Sequence, residues 1–250
     1  MGLLDGKVAW ITGGSRGLGR AMAVTFAREG AYVAFNYTRS HSDAEETLRR
    51  IREVGRGRAF AVSVLDKPGL KDLCKAVEAE AGTIDILVNN AGHGQVVPLA
   101  LMEEEDWDRM MDTHVKGAFL ASQAVLRGMV RIKRGHILNI GSLAGVKMLQ
   151  APVHYSTAKA ALRGFTESLA KEVSRYGVRV NCLAPGLLEE GVSDNLPAHR
   201  REEWLRHCAL GRLGTPEEVA DLAAFVVSDR NSYMNGATVV VRSEEHTSEL

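Results

Sequence analysis

The chain has 250 residues, 45% of them hydrophobic, which is enough for one well-buried core. Lys plus Arg and Asp plus Glu both number 31, so no net charge draws the chain to nucleic acid or to an anionic membrane. No apolar run reaches the roughly 18–20 residues of a membrane span. The three cysteines, Cys74, Cys182 and Cys208, show neither CxxC nor metal-ligand spacing, which argues against a disulfide framework or a zinc site.

The N-terminus lacks the basic and apolar regions of a secretory signal and enters a strand-like run almost at once, so a soluble cytoplasmic protein is expected. Short apolar runs follow in order: Val8 to Thr12, Ala31 to Asn36, Ala59 to Val64, Ile84 to Asn89, His136 to Ile140, Val178 to Ala184 and Ala237 to Val241. Their continuous rather than alternating apolarity suits strands buried on both faces. Between them lie amphipathic stretches. Asp43 to Val54 carries Ala44, Leu48 and Ile51 at helical spacing, and Pro216 to Val227 opens on an N-cap threonine, a proline and two acids. This alternation predicts an α/β, doubly wound (Rossmann-type) parallel sheet of about seven strands with helices on both faces, forming a single domain over 1–241. The polar segment 187–213 interrupts the alternation and is expected to be a lid over the site. The last nine residues, 242–250, are unrelated to the preceding pattern and look like the translation of a sequencing adaptor. They are expected to be an artefact.

After the first strand comes Thr12-Gly13-Gly14-Ser15-Arg16-Gly17-Leu18-Gly19, then a helix-like run to Glu29. Glycines let a backbone turn tightly and approach a diphosphate, and a helix N-terminus offers free N–H groups to the anion. The same glycines also fit a purely structural turn. The end of the second strand, Phe35-Asn36-Tyr37-Thr38-Arg39, lacks the acid that would bind a ribose 2′-hydroxyl. Arg16 and Arg39 could instead meet a 2′-phosphate, so NADP(H) is expected over NAD(H).

The segment His154-Tyr155-Ser156-Thr157-Ala158-Lys159 opens an Ala-rich helix, and its Tyr155 and Lys159 share one face. A neighbouring ammonium is expected to lower the tyrosine pKa, suiting Tyr155 to exchange a proton with a carbonyl or alcohol oxygen. Ser142 follows a strand, where doubly wound sheets bind ligands, and could hydrogen-bond the same oxygen.

Taken together, these residues resemble the short-chain dehydrogenase/reductase family over about Leu4 to Val241, with Asn89-Asn90-Ala91-Gly92 and Asn181-Cys182-Leu183-Ala184-Pro185-Gly186 as two further motifs. The resemblance implies that Gly13, Ser15, Gly17, Leu18 and Gly19 cradle the cofactor diphosphate. It implies that Asn36, Ser63, Val64, Asn90, Ala91 and Gly92 line the adenosine side, with Pro185 and Gly186 beside the nicotinamide. Tyr155 would be the acid/base, Ser142 the carbonyl orienter and Lys159 the partner of both tyrosine and ribose. Within the family the chain looks most similar to NADPH-dependent ketoreductases of 3-oxoacyl-[acyl-carrier-protein]. That implies reduction of a carbonyl such as a 3-oxoacyl thioester, a possible acyl carrier protein partner, and a homotetramer if the C-terminus were intact.

The sequence departs from the family pattern at three places. His114 stands where an asparagine helps to hold a relay water, Ser63 stands where an acid is frequent, and an Asp-Gly-Gly ending is absent. An alcohol or sugar dehydrogenase working in oxidation, or a cofactor-binding protein with impaired catalysis, are the competing readings. The basic residues Arg127, Arg131, Lys133 and Arg134, with Lys171 and Arg175, could dock an acidic carrier near the site mouth, or could equally be solvated helix ends favoured by the dipole. Met148, Leu149 and Val153 fit an apolar substrate or ordinary core packing equally well, and His93 is expected to face the pocket without a catalytic role.

Overall fold

A computed structural model describes residues 2–191 and 198–243. Seven strands form one parallel sheet: β1 (Val8–Thr12), β2 (Tyr32–Tyr37), β3 (Arg56–Ala61), β4 (Ile86–Asn89), β5 (Gly135–Ile140), β6 (Val178–Pro185) and β7 (Thr238–Val241). Their spatial order is β3-β2-β1-β4-β5-β6-β7. The winding reverses between β1 and β4, which opens a crevice beyond the carboxyl ends of those two strands. The helices are α1 (Gly17–Arg28), α2 (His41–Val54), α3 (Lys67–Ala81), α4 (Glu104–Met111), α5 (Gly117–Ile132), α6 (Val153–Val173), α7 (Ala198–Arg206) and α8 (Pro216–Val227).

Alternation along each strand sends successive side chains to opposite faces, and each face is covered by helices. Ala9, Ile11, Val33 and Phe35 pack with Met22 and Phe26 of α1, Ile51 of α2 and Val219 and Ala223 of α8. Val8, Trp10, Tyr32 and Ala34 pack on the other face with Leu70, Leu73 and Val77 of α3, Val125 and Met129 of α5 and Leu169 and Val173 of α6. Central strands buried on both sides have no polar face, which is why they read as unbroken apolar runs.

The strand bounds follow the apolar runs within one or two residues, except at β3. That strand was expected over Ala59 to Val64 and spans Arg56–Ala61. It is an edge strand with side chains that are exposed or only partly buried, and Arg56 and Arg58 hold its exposed face. A search for continuous apolarity therefore passes over its first half. α8 begins where its cap and proline place it, with Thr215 and Glu218 forming a reciprocal capping box.

Of the segment expected as a lid, 192–197 lies outside the described residues, as does 244–250 of the tail. Residues 187 and 188 leave β6 toward the crevice, and Leu188 bridges to Gly214. Among the described residues no helix is long and apolar enough to cross a membrane.

Candidate active site

The turn after β1 is shaped by close approach. Gly13 has φ +67°, and a Cβ there would lie 2.9 Å from Ala91 Cα. A Cβ at Gly19 would lie 2.2 Å from Gly13 O, so α1 starts in contact with the turn. Three donors pull the Ser15 carbonyl toward α2: Arg20 Nε at 3.2 Å, Arg20 Nη2 at 2.9 Å and Thr47 Oγ1 at 2.8 Å. Arg16 occupies the N-cap of α1 in an extended conformation and gives no side-chain cap, and the first turn holds no acid. By contrast, Asp66 caps α3 and Thr215 caps α8. The first amides of α1 are thus left for an anion from outside.

Across the crevice, Asn90 Nδ2 donates to Thr12 O and Gly13 O at 3.0 and 3.1 Å. Thr12 Oγ1 accepts from the Asn90 and Ala91 amides at 3.0 and 2.9 Å. These bonds tie the motif after β4 to the glycine turn. Asn90 therefore acts as a brace for the cradle through its side chain. The brace depends on Thr12, which sequence reading did not single out because a strand-end threonine carries no spacing signal.

At the end of β2, Asn36 accepts from Trp10 Nε1 at 3.0 Å and donates to Val62 O at 2.9 Å. Its amide links β1, β2 and the residue that follows β3, while Asn36 also lines the cleft. Arg16 and Arg39 are exposed on the same wall, and neither has an ion-pair partner among the described residues. Ser63 Oγ accepts from the Leu65 amide at 3.2 Å and sits beside Val64.

At the other end of the crevice, Ser142 follows β5 and its Oγ accepts from the Ala144 amide at 3.2 Å. Tyr155, in the first turn of α6, lines the same end of the cleft. Lys159 is buried and donates from Nζ to Ile140 O at 2.8 Å, and Nζ lies 5.7 Å from the centre of the Tyr155 ring. Burial lowers the Lys159 ammonium to about 8. Burial also pushes the Tyr155 hydroxyl up, against a smaller downward pull from Ser142. The lowering of Tyr155 expected from the neighbouring ammonium is thus corrected: burial raises the hydroxyl instead.

A buried polar chain holds this end in register. Asn89 Nδ2 donates to Asn139 Oδ1 at 2.8 Å and to Ser122 Oγ at 3.1 Å, and Asn139 Nδ2 donates to Thr166 Oγ1 at 2.8 Å. It connects β4, β5, α5 and α6, the helix that carries Tyr155 and Lys159. Buried polar residues on apolar strands are the signal that could have found it.

His114 is buried in a π-helical turn (Asp112–Lys116) between α4 and α5, edge-on to Tyr155 with ring centres 5.8 Å apart. Burial first, and then Lys159, hold its imidazole well below the usual histidine range, so it is neutral.

One cleft of about 790 Å³ is lined by all of the expected residues: Gly13, Ser15, Arg16, Gly17, Leu18, Gly19, Asn36, Arg39, Ser63, Val64, Asn90, Ala91, Gly92, His114, Ser142, Tyr155, Lys159, Pro185 and Gly186. His93 and Leu149 share it, as do Arg109 and Trp204, which the sequence did not single out. The basic cluster is elsewhere. Arg127, Arg131, Lys133 and Arg134 precede the amino end of β5, whereas the cleft lies beyond its carboxyl end, about 20 Å away along six residues. Arg134 is bound there to Asp85 at 2.8 Å. The expectation of a basic site mouth built from these residues is corrected accordingly.

The family model described as short chain dehydrogenase matches residues 7–201. The chain is 40% identical over 238 residues to a 3-oxoacyl-[acyl-carrier-protein] reductase FabG of Vibrio cholerae, covering 95% of this chain and 96% of the relative. It is 37% identical over 237 residues to the protein of that name from Escherichia coli K12, covering 95% and 96%. A crystal structure of a dehydrogenase/reductase from Sinorhizobium meliloti 1021 superposes with a TM-score of 0.89 at 29% identity, over 96% of this chain and 95% of that one. The reversed sheet winding, the glycine turn at its crevice and this likeness over nearly the whole chain agree: the protein is an oxidoreductase that belongs to the short-chain dehydrogenase/reductase family.

Proposed function

We propose that this chain reduces the carbonyl of a 3-oxoacyl thioester to a hydroxyl with NADPH. The observation that carries the reading is one continuous cleft with an uncapped, glycine-built helix N-terminus at one end and Ser142, Tyr155 and Lys159 at the other. The cradle fits a dinucleotide: the α1 amides face a diphosphate, Gly13 and Gly19 leave no side chain in the way, and Arg16 and Arg39 are free to pair with a 2′-phosphate. The names of the curated relatives support the substrate class.

When bound, NADPH supplies a hydride to the carbonyl carbon. The chain's own residues handle the oxygen. Ser142 and Tyr155 line the same end of the cleft and would converge on the carbonyl oxygen. Tyr155 gives that oxygen its proton, and burial keeps the hydroxyl protonated until charge develops. Lys159, fixed to Ile140 O, sets an ammonium behind the ring and stabilises the tyrosinate left behind. A solvent proton restores Tyr155, so each turnover consumes one hydride and one proton.

The test is oxidation of NADPH and NADH, run in parallel with acetoacetyl thioester, by the wild type and by Tyr155→Phe. The reading expects turnover with NADPH well above NADH, and a fall of about 10²–10⁴-fold in kcat for Tyr155→Phe with NADPH binding retained. Undiminished turnover in Tyr155→Phe refutes the assignment.

A further inference from the structure

His114 stands where the family pattern has asparagine, and its ring makes contacts of its own with the loop after β4. Its Nε2 lies 3.1 Å from the His93 amide nitrogen and 3.0 Å from the His93 carbonyl oxygen. A neutral imidazole can use only one of these at a time, but either tautomer finds a partner: Nε2–H donates to the carbonyl, or bare Nε2 accepts from the amide. The ring also fills the space beside Gly92. A Cβ at Gly92 would lie 2.3 Å from His114 Cε1 and 2.8 Å from Nδ1. The φ of Gly92 lies outside the left-handed region, so the backbone conformation there makes no demand for glycine. The demand comes from the ring.

The π-helical turn holds the ring in place. Gly117 N donates to Asp112 O, and Gly117 packs so closely that a Cβ would lie 2.8 Å from Val64 Cγ2. One residue beyond His93 and Gly94, Gln95 Nε2 donates to Asp106 Oδ1 at 2.7 Å on α4. The loop after β4 is thus fixed at His93 and at Gln95, both of which line the cleft, while the His114 ring leans edge-on against Tyr155.

We propose that His114 is a positioning residue, paired with Gly92, which clamps the 92–95 loop as the substrate-side wall of the cleft and sets the Tyr155 ring against it. Asparagine cannot do this here, because its amide ends short of the point that Nε2 occupies. The proposal rests on the ketoreductase reading for its kinetic test, and predicts that His114→Asn impairs the enzyme rather than restoring it.

The experiment compares the wild type, His114→Asn, Gly92→Ala and Gly92→Ala/His114→Ala, using NADPH and acetoacetyl thioester, with NADPH affinity measured separately by fluorescence. For His114→Asn the expected result is a kcat/KM lower by about tenfold, carried mainly by KM, with NADPH affinity unchanged within about twofold. Gly92→Ala should lose about fiftyfold or more, and removing the ring in the double variant should recover at least about tenfold of that loss. A purely structural role would lower the active fraction, and so kcat, without moving KM. A rise in turnover for His114→Asn, an unchanged KM, or a double variant no better than Gly92→Ala would overturn the proposal. Should Gly92→Ala fail to fold, the KM-against-kcat split of His114→Asn decides alone. An inactive wild type would count against the substrate reading, and the clamp would then be read from the His93 amide resonance, which must shift in His114→Asn.

Discussion

Lys159→Met gives a stability change whose sign turns with pH. Lys159 is 6% exposed and its ammonium is lowered from 10.5 to about 8, chiefly by burial. The folded state therefore binds the proton more weakly than the unfolded chain. Between pH 8 and 10.5 the unfolded chain carries the proton and the folded one does not, so this group's contribution to stability rises with pH across that window. At 1.36 kcal/mol for each tenfold, the gap corresponds to about 3 kcal/mol, which is the cost of holding the charge in the folded protein at neutral pH. Methionine keeps the stem's volume and removes that cost. It also takes the donor from Ile140 O, at a cost of about 1–2 kcal/mol. The variant is accordingly more stable than the wild type by about 1–2 kcal/mol at pH 7 and less stable by a similar amount at pH 10.5. Urea unfolding of the cofactor-free proteins at fixed concentration, at several pH values from 7 to 10.5, measures the difference, and other titrating groups cancel between the two proteins. A difference that does not change with pH would mean that Lys159 keeps an ordinary pKa in the fold, and the argument would fail.

The remaining predictions concern cofactor choice. Arg16→Ala and Arg39→Ala should each weaken NADPH binding by about tenfold, the low end for exposed charge-assisted bonds, and leave NADH binding unchanged in titrations by fluorescence quenching. Equal losses for both cofactors would place the arginines on the diphosphate instead. Asn36→Asp should not convert the protein to NADH, because the new carboxylate would face Val62 O in place of the amide donor. It should lower stability by about 2 kcal/mol or more in urea unfolding, and a gain in NADH affinity would show that the side chain swings into the cleft.

What could be read from the sequence was whatever repeats along the chain. Strands buried on both faces leave continuous apolar runs, so six of the seven were placed within one or two residues, and the capping box set the start of α8. β3 was displaced because an edge strand alternates and carries its charges outward. The cleft could be anticipated because glycine spacing and the Tyr155–Lys159 interval are local patterns tied to known chemistry. Contacts between distant residues could not. Asn36 stands where a ribose ligand is expected and is turned inward by Trp10, a residue 26 positions away on the neighbouring strand. The pKa of Tyr155 depends on how far the surrounding fold buries it, a quantity that no interval of four residues encodes.

His114 and Gly92 show why such pairs escape a motif-by-motif reading. Compared with the family pattern one residue at a time, His114 is a departure and Gly92 is a match. In the fold they form a single contact, with the ring occupying the space that the missing side chain leaves. A glycine can be retained for a different physical reason after its neighbour has changed, and the local pattern looks identical in both cases. The departure then carries more information than the match. The ring is buried and neutral, its Nε2 reaches the His93 amide or carbonyl, and it lies edge-on to Tyr155, so it is packed into the cleft wall. The His114 ring fills the space that a side chain at Gly92 would need, so the two positions have to be read as one contact.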